Sequence, residues 1–84
     1  MTTILYFAWV RERIGTSEER IDVPASVVTV ADLIHLLADR SAGHAAAFAD
    51  LARLRVAIDQ QFAAFDAPVA GAREIAIFPP VTGG

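Results

Sequence analysis

The residues best suited to do chemistry stand at the end of the sequence: Ile77-Phe78-Pro79-Pro80-Val81-Thr82-Gly83-Gly84. Glycine has no side chain to block a narrow tunnel and no Cβ to restrict the backbone. Gly83-Gly84 can therefore enter another protein's active site, where the Gly84 carboxylate becomes the reacting group. A carboxylate is a poor electrophile until one oxygen is turned into a leaving group, and activation followed by nucleophilic displacement splits one hard step into two easier ones. Pro79 and Pro80 have fixed φ and favour an extended, polyproline-like course. The expected device is a stiff base with a slim, flexible tip.

Composition narrows what the rest of the chain can be. Eighty-four residues make one domain, expected over 1–78 with the tail at 79–84, and 55% hydrophobic content supplies ample core. There are no cysteines, hence no disulfide, no thiolate metal site and no cysteine nucleophile. The chain has no apparent leader and no apolar run long enough to span a bilayer, so a cytoplasmic protein without membrane contact is expected. Net charge is −3 and no basic stripe is apparent, which argues against nucleic acid as a partner. Every cationic side chain other than histidine is an arginine. With no lysine, an activated Gly84 finds its acceptor on a different molecule.

The elements that must position the tail read as an α+β arrangement. Thr2 to Val10 alternates, with Ile4, Tyr6, Ala8 and Val10 on one side and Leu5, Phe7 and Trp9 on the other, predicting a strand. Arg11 to Thr16 breaks it, and Ser17 to Val23 predicts a second strand. Thr29 followed by Asp32 resembles a capping box, opening a helix with Val30, Leu33, Ile34, Leu36 and Leu37 at helical spacing to about Arg40. Gly43 is expected to end that helix, and Ala45 to Leu51 to form a shorter one. Leu54–Asp59, Phe62–Phe65 and Arg73–Phe78 predict three further strands, with Gln60-Gln61 as a turn.

A hairpin, a helix and further strands describe a sheet with one face covered by the main helix. If that helix covers Ile4, Tyr6, Ile75 and Ile77, the opposite face still displays Leu5, Phe7, Trp9 and Phe78, joined by Phe62. An antiparallel sheet covered on one side ordinarily turns polar residues outward. An apolar outer face marks an interaction site instead. Each aromatic anchor contributes roughly 2–3 kcal/mol on burial against an association cost of at least about 4 kcal/mol, so three or four suffice for a stable complex. A partner that grips Phe78 also aims the tail.

The chain resembles the small subunits of molybdopterin synthase, a family of ubiquitin-like β-grasp sulfur carriers. The resemblance is carried by Leu5-Tyr6-Phe7-Ala8-Trp9-Val10-Arg11-Glu12 with Gly15, by Ile58-Asp59-Gln60, and most specifically by Phe78-Pro79-Pro80-Val81-Thr82-Gly83-Gly84. It implies a mixed β-grasp sheet and a non-catalytic carrier whose Gly84 carboxylate is adenylated by an enzyme of the ubiquitin-activating type. A sulfur donor protein then displaces AMP to leave a thiocarboxylate, and the tail enters the synthase large subunit, which binds cyclic pyranopterin monophosphate. A heterotetramer of two large subunits and two carriers is implied, with no bound cofactor beyond the transient acyl-adenylate made from ATP. The implied contacts with the large subunit are Phe7, Phe62 and Phe78; the outer-face reading adds Trp9, and the delivery arm adds Pro79, Pro80, Val81, Thr82 and Gly83 as partner-binding residues. The sequence departs from the family at Ala70-Gly71-Ala72-Arg73, where an acidic loop is common, and at Trp9, where a polar residue is common.

Other readings of a diglycine end are a thiazole-pathway sulfur carrier, usually shorter and without the Phe-Pro-Pro lead, a ubiquitin-like modifier ligated to lysines, and a plain binding module. The remaining polar residues suggest no catalysis. His35 in the helix and His44 in a loop have no ligand or carboxylate at metal-binding spacing, and Ser17, Ser26 and Ser41 lack a triad-like context. Gly15 and Gly71 read as turn residues, and Arg11-Glu12-Arg13 as a solvated strand end.

Overall fold

The last strand of the chain is its central one. In the computed structural model, which describes residues 1–80, β1 (Thr2–Tyr6), β2 (Glu18–Ile21), β3 (Arg55–Ile58), β4 (Gln61–Ala63) and β5 (Glu74–Phe78) form a single sheet in the order β2-β1-β5-β3-β4. β5 runs parallel to β1, with Ile4 opposite Ile75 and Tyr6 opposite Ile77, and antiparallel to β3, with Val56 opposite Ile77. The sheet is therefore mixed, and its middle strand leads straight into Pro79-Pro80.

Three helices complete the described residues: α1 (Ala8–Ile14), α2 (Val30–Ala38) and α3 (Ala42–Ala47), with a 3₁₀ turn over Leu51–Arg53. α2 begins where the sequence expects it. Thr29 Oγ1 accepts from the Asp32 N–H at 3.2 Å, and the Asp32 carboxylate accepts from the Thr29 and Val28 N–H groups at 3.1 and 3.2 Å. The two N–H bonds hold the Asp32 carboxyl below its ordinary range. Val30, Leu33, Ile34 and Leu37 on one face of α2 are wholly buried, as are Ile4, Ile75 and Ile77 on the sheet. These form one core with Tyr6, Val56, Leu54 and Phe48.

Four local expectations are corrected. The first strand stops at Tyr6, and the residues expected to continue it, Ala8, Trp9 and Val10, begin α1. Ala8 takes φ 53°, a reversal that swings the chain out of the sheet. Val10 and Ile14, four apart, then bury one helical face, an outcome that three residues of chance alternation conceal. Gly15 ends α1 at φ 94°, its N–H bonded to the Arg11 carbonyl, the left-handed cap that glycine adopts without cost.

Gly43 does not terminate a helix. It lies within α3, capped by Ser41, and a Cβ there would collide with the backbone carbonyl of Arg13. The glycine instead lets α1 and α3 approach closely. α3 spans Ala42–Ala47 rather than Ala45–Leu51, and β4 is shorter than the run Phe62–Phe65. Asp59 and Gln60, at φ 48° and 73°, join β3 to β4 through a two-residue turn of the type that matches strand twist. Asp59 also accepts from the Arg73 and Glu74 N–H groups at 3.0 and 2.9 Å, pinning the start of β5.

Candidate functional site

Cross-strand register defines the sheet face that the helices leave open. Residues paired across strands share a face, so Leu5, Ala76, Ala57 and Phe62 form one row and Phe78 with Arg55 the next, towards the end of β5. Two alanines make a low floor between larger side chains. The Phe62 and Phe78 rings are 5.9 Å apart at 45°, a tilted aromatic pair at one rim. Phe62 is 83% exposed and Phe7 44% exposed, unusual for side chains of this size. Phe7 donates its N–H to the Ile77 carbonyl at 3.3 Å, which holds it beside the end of β5.

The sheet thus brings together three of the aromatic residues that the sequence singles out. Phe78, partly buried, is followed by Pro79 and Pro80, also partly buried, so the apolar face is continuous with the base of the tail. Val81, Thr82, Gly83 and Gly84 lie outside the described residues. Trp9 is the correction. Because α1 replaces the end of the first strand, Trp9 stands off the sheet, with the guanidinium carbons of Arg13 and Arg53 5.6 and 4.9 Å from its ring centroid. The sequence signal for this stack was the four-residue spacing from Trp9 to Arg13, legible only once a helix is assumed there.

A second polar assembly escaped sequence reasoning. His44 is not in a loop but in α3, and it is almost fully buried. Its Nε2 lies 3.0 Å from Glu19 Oε1, and its Nδ1 lies 2.6 Å from Ser41 Oγ. Glu19 Oε2 accepts from the Tyr6 hydroxyl at 3.0 Å and meets Arg40 Nε at 3.4 Å. Since the carboxylate only accepts, Nε2 is the donor in that contact. Burial, reinforced by the Glu19 charge, pushes the Tyr6 phenol far above its ordinary value, so it remains a donor. Ser41 Oγ is also occupied as the α3 cap, accepting from the His44 N–H at 3.1 Å. The group fastens β1, β2 and the α2–α3 junction to one another. His35, by contrast, is exposed on α2 as a surface residue.

Comparison with known proteins agrees with this architecture. The family model described as the ThiS family matches residues 4–84. The chain is 40% identical over 84 residues to the molybdopterin synthase sulfur carrier subunit of Escherichia coli strain K12, covering all of both chains. It is 35% identical over 85 residues to the protein of the same name from Mycosarcoma maydis, covering 96% of this chain and 90% of that one. Among solved structures, the crystal structure of SAMP1 from Haloferax volcanii is similar with a TM-score of 0.71 and 27% identity, covering 99% of this chain and 98% of that one. An end-to-end sequence match, a mixed sheet with β5 at its centre and an aromatic open face reached from the tail together lead to one conclusion: the chain belongs to the ThiS family, and its matched relatives are molybdopterin synthase sulfur carrier subunits.

Proposed function

We propose that this chain is the sulfur-carrying subunit of a molybdopterin synthase and that Gly84 is its working residue. The Gly84 carboxylate attacks the α-phosphorus of ATP on an adenylating enzyme, forming an acyl-adenylate and releasing pyrophosphate. A hydrosulfide equivalent from a sulfur donor protein adds to the acyl carbon and expels AMP, leaving a thiocarboxylate. On the synthase large subunit the thiocarboxylate sulfur attacks a carbon of cyclic pyranopterin monophosphate, forming a C–S bond as a C–O bond at that carbon breaks and the oxygen substituent leaves with the electron pair. Water then cleaves the resulting thioester, so that sulfur stays on the pterin and the Gly84 carboxylate is regenerated. Phe7, Phe62 and Phe78 dock the large subunit, while Pro79 to Gly83 deliver the reacting group.

The observation that carries this reading is the continuity of the apolar face with the tail. Phe62 and Phe78 form an exposed aromatic rim, and Phe78 is the last residue of the central strand before Pro79-Pro80. A partner that covers this rim acquires the tail at high effective concentration. Reconstitution with the cognate large subunit, adenylating enzyme and sulfur donor tests the proposal. Removing Gly84 abolishes molybdopterin formation without altering thermal unfolding, since a glycine adds no side chain to the core. Undiminished product from the truncated chain refutes the assignment.

A further inference from the structure

Four of the seven arginines, Arg11, Arg13, Arg53 and Arg55, lie on α1, on the 3₁₀ turn and at the start of β3. All are exposed. These segments converge where β5 ends: Arg55 is the register partner of Phe78, and Phe7, the residue before α1, is bonded to Ile77. Arg13 and Arg53 both lie over the Trp9 ring. Arg55 donates to the carbonyls of Leu54 and Ala52 at 2.7 and 3.4 Å, which draws its guanidinium back against the turn that carries Arg53. Neutral carbonyls leave that charge uncompensated.

Shortage of acid does not explain this grouping, because the chain has ten carboxylate side chains and is net negative. Yet among the described residues Glu19 takes the salt bridge from Arg40 and the contact from His44, and no salt bridge involves Arg11, Arg13, Arg53 or Arg55. Two cations gathered at one indole repel each other, and the attraction of the ring face offsets only part of that repulsion. An anion laid against the stack relieves the rest. Arginine suits this role better than lysine, since its planar fork pairs with a carboxylate through two parallel bonds and stays charged throughout.

Resting on the carrier reading above, we infer that the Trp9–Arg13–Arg53 stack, with Arg55 beside it, is a docking point for carboxylate side chains on the rim of the synthase large subunit. The surface favours a protein over a nucleotide. Small anions are held in concavities that bury most of their surface. Two grooves among the described residues lie elsewhere, one lined by Met1, Asp22, Pro24 and Gly71 and the other by Asp59, Gln60, Arg73 and Glu74. The four arginines are instead exposed, and Arg55 is paired in register with Phe78, so a partner that covers the aromatic rim reaches them with its edge. A positive end on a net-negative molecule also orients the encounter, presenting the tail-bearing end first.

The test compares the full wild-type chain with Arg13→Glu/Arg53→Glu and with the neutral pair Arg13→Gln/Arg53→Gln, each binding the cognate large subunit at several salt concentrations. Thermal unfolding of every variant verifies the fold. The charge-reversed pair associates on the order of 10-fold more slowly at low salt, the neutral pair falls between it and wild type, and the differences shrink as salt screens the contact. Equal association rates for all three at every salt concentration overturn the inference while leaving the carrier reading intact. So does normal association combined with a raised KM for ATP during adenylation, which assigns the arginines to a nucleotide. A wild-type chain that does not bind the large subunit at all removes both the reading and the inference.

Discussion

Phe62→Ala separates docking from folding because the side chain is 83% exposed in the free chain. Full burial of a phenylalanine contributes about 1.5–3 kcal/mol, so only about a sixth of that is already gained on folding. The tilted contact with Phe78, 5.9 Å between centroids, adds a few tenths of a kcal/mol at such an exposed site. The substitution therefore lowers folding stability by less than about 1 kcal/mol. The remaining burial is gained when the open sheet face is covered. Truncation then weakens binding to the large subunit by about 1.2–2.5 kcal/mol, which is roughly a 7- to 60-fold rise in Kd. Isothermal titration calorimetry measures the affinity and urea unfolding the stability. Unchanged affinity refutes Phe62 as an anchor. A stability loss as large as the binding loss refutes the view that its apolar surface is held in reserve for a partner.

Further outcomes follow from the polar contacts and the turns. Glu19→Ala leaves the Tyr6 hydroxyl and His44 Nε2 without their shared acceptor in a mostly buried site, and costs about 2–4 kcal/mol in urea unfolding; a loss below about 0.5 kcal/mol contradicts the role given to this group. Because the folded-state pKa of Asp32 is lowered by the Thr29 and Val28 N–H groups, its contribution is present above the unfolded value and is lost as pH falls through the folded one. Asp32→Asn accordingly flattens the decline of stability below about pH 4 relative to wild type, and parallel acid-unfolding curves contradict this. Gln60 at φ 73° occupies a left-handed position that costs a non-glycine residue about 1 kcal/mol, so Gln60→Gly raises the urea midpoint; a lowered midpoint contradicts the turn assignment.

The parts of the fold legible in the sequence are those specified by local pattern. Alternation placed Ile4, Tyr6, Ile75 and Ile77 on the covered face, where they are indeed buried, and left Leu5 and Phe78 on the other. The Thr29–Asp32 box set the start of α2 because capping is a matter of neighbouring residues. Features set by distant partners were hidden. α1 forms because Val10 and Ile14 find a core that includes Ala47, and because Gly43 lets the α1 terminus close on α3; nothing within Ala8–Ile14 advertises either. His44 appeared unpartnered because its carboxylate, Glu19, lies 25 residues away and is delivered by an adjacent strand. The arginine stack was obscured for the same reason, since reading Arg13 as a strand end removes the helical spacing that sets it over Trp9.

Intact-mass measurement of the chain after incubation with its adenylating enzyme, ATP and sulfur donor bears most directly on the central claim. Loading at Gly84 predicts the mass gain of one oxygen replaced by sulfur, confined to the C-terminal fragment and reversed once the large subunit and its pterin substrate are added. A C-terminus that keeps its carboxylate mass throughout, while molybdopterin is nonetheless formed, contradicts it.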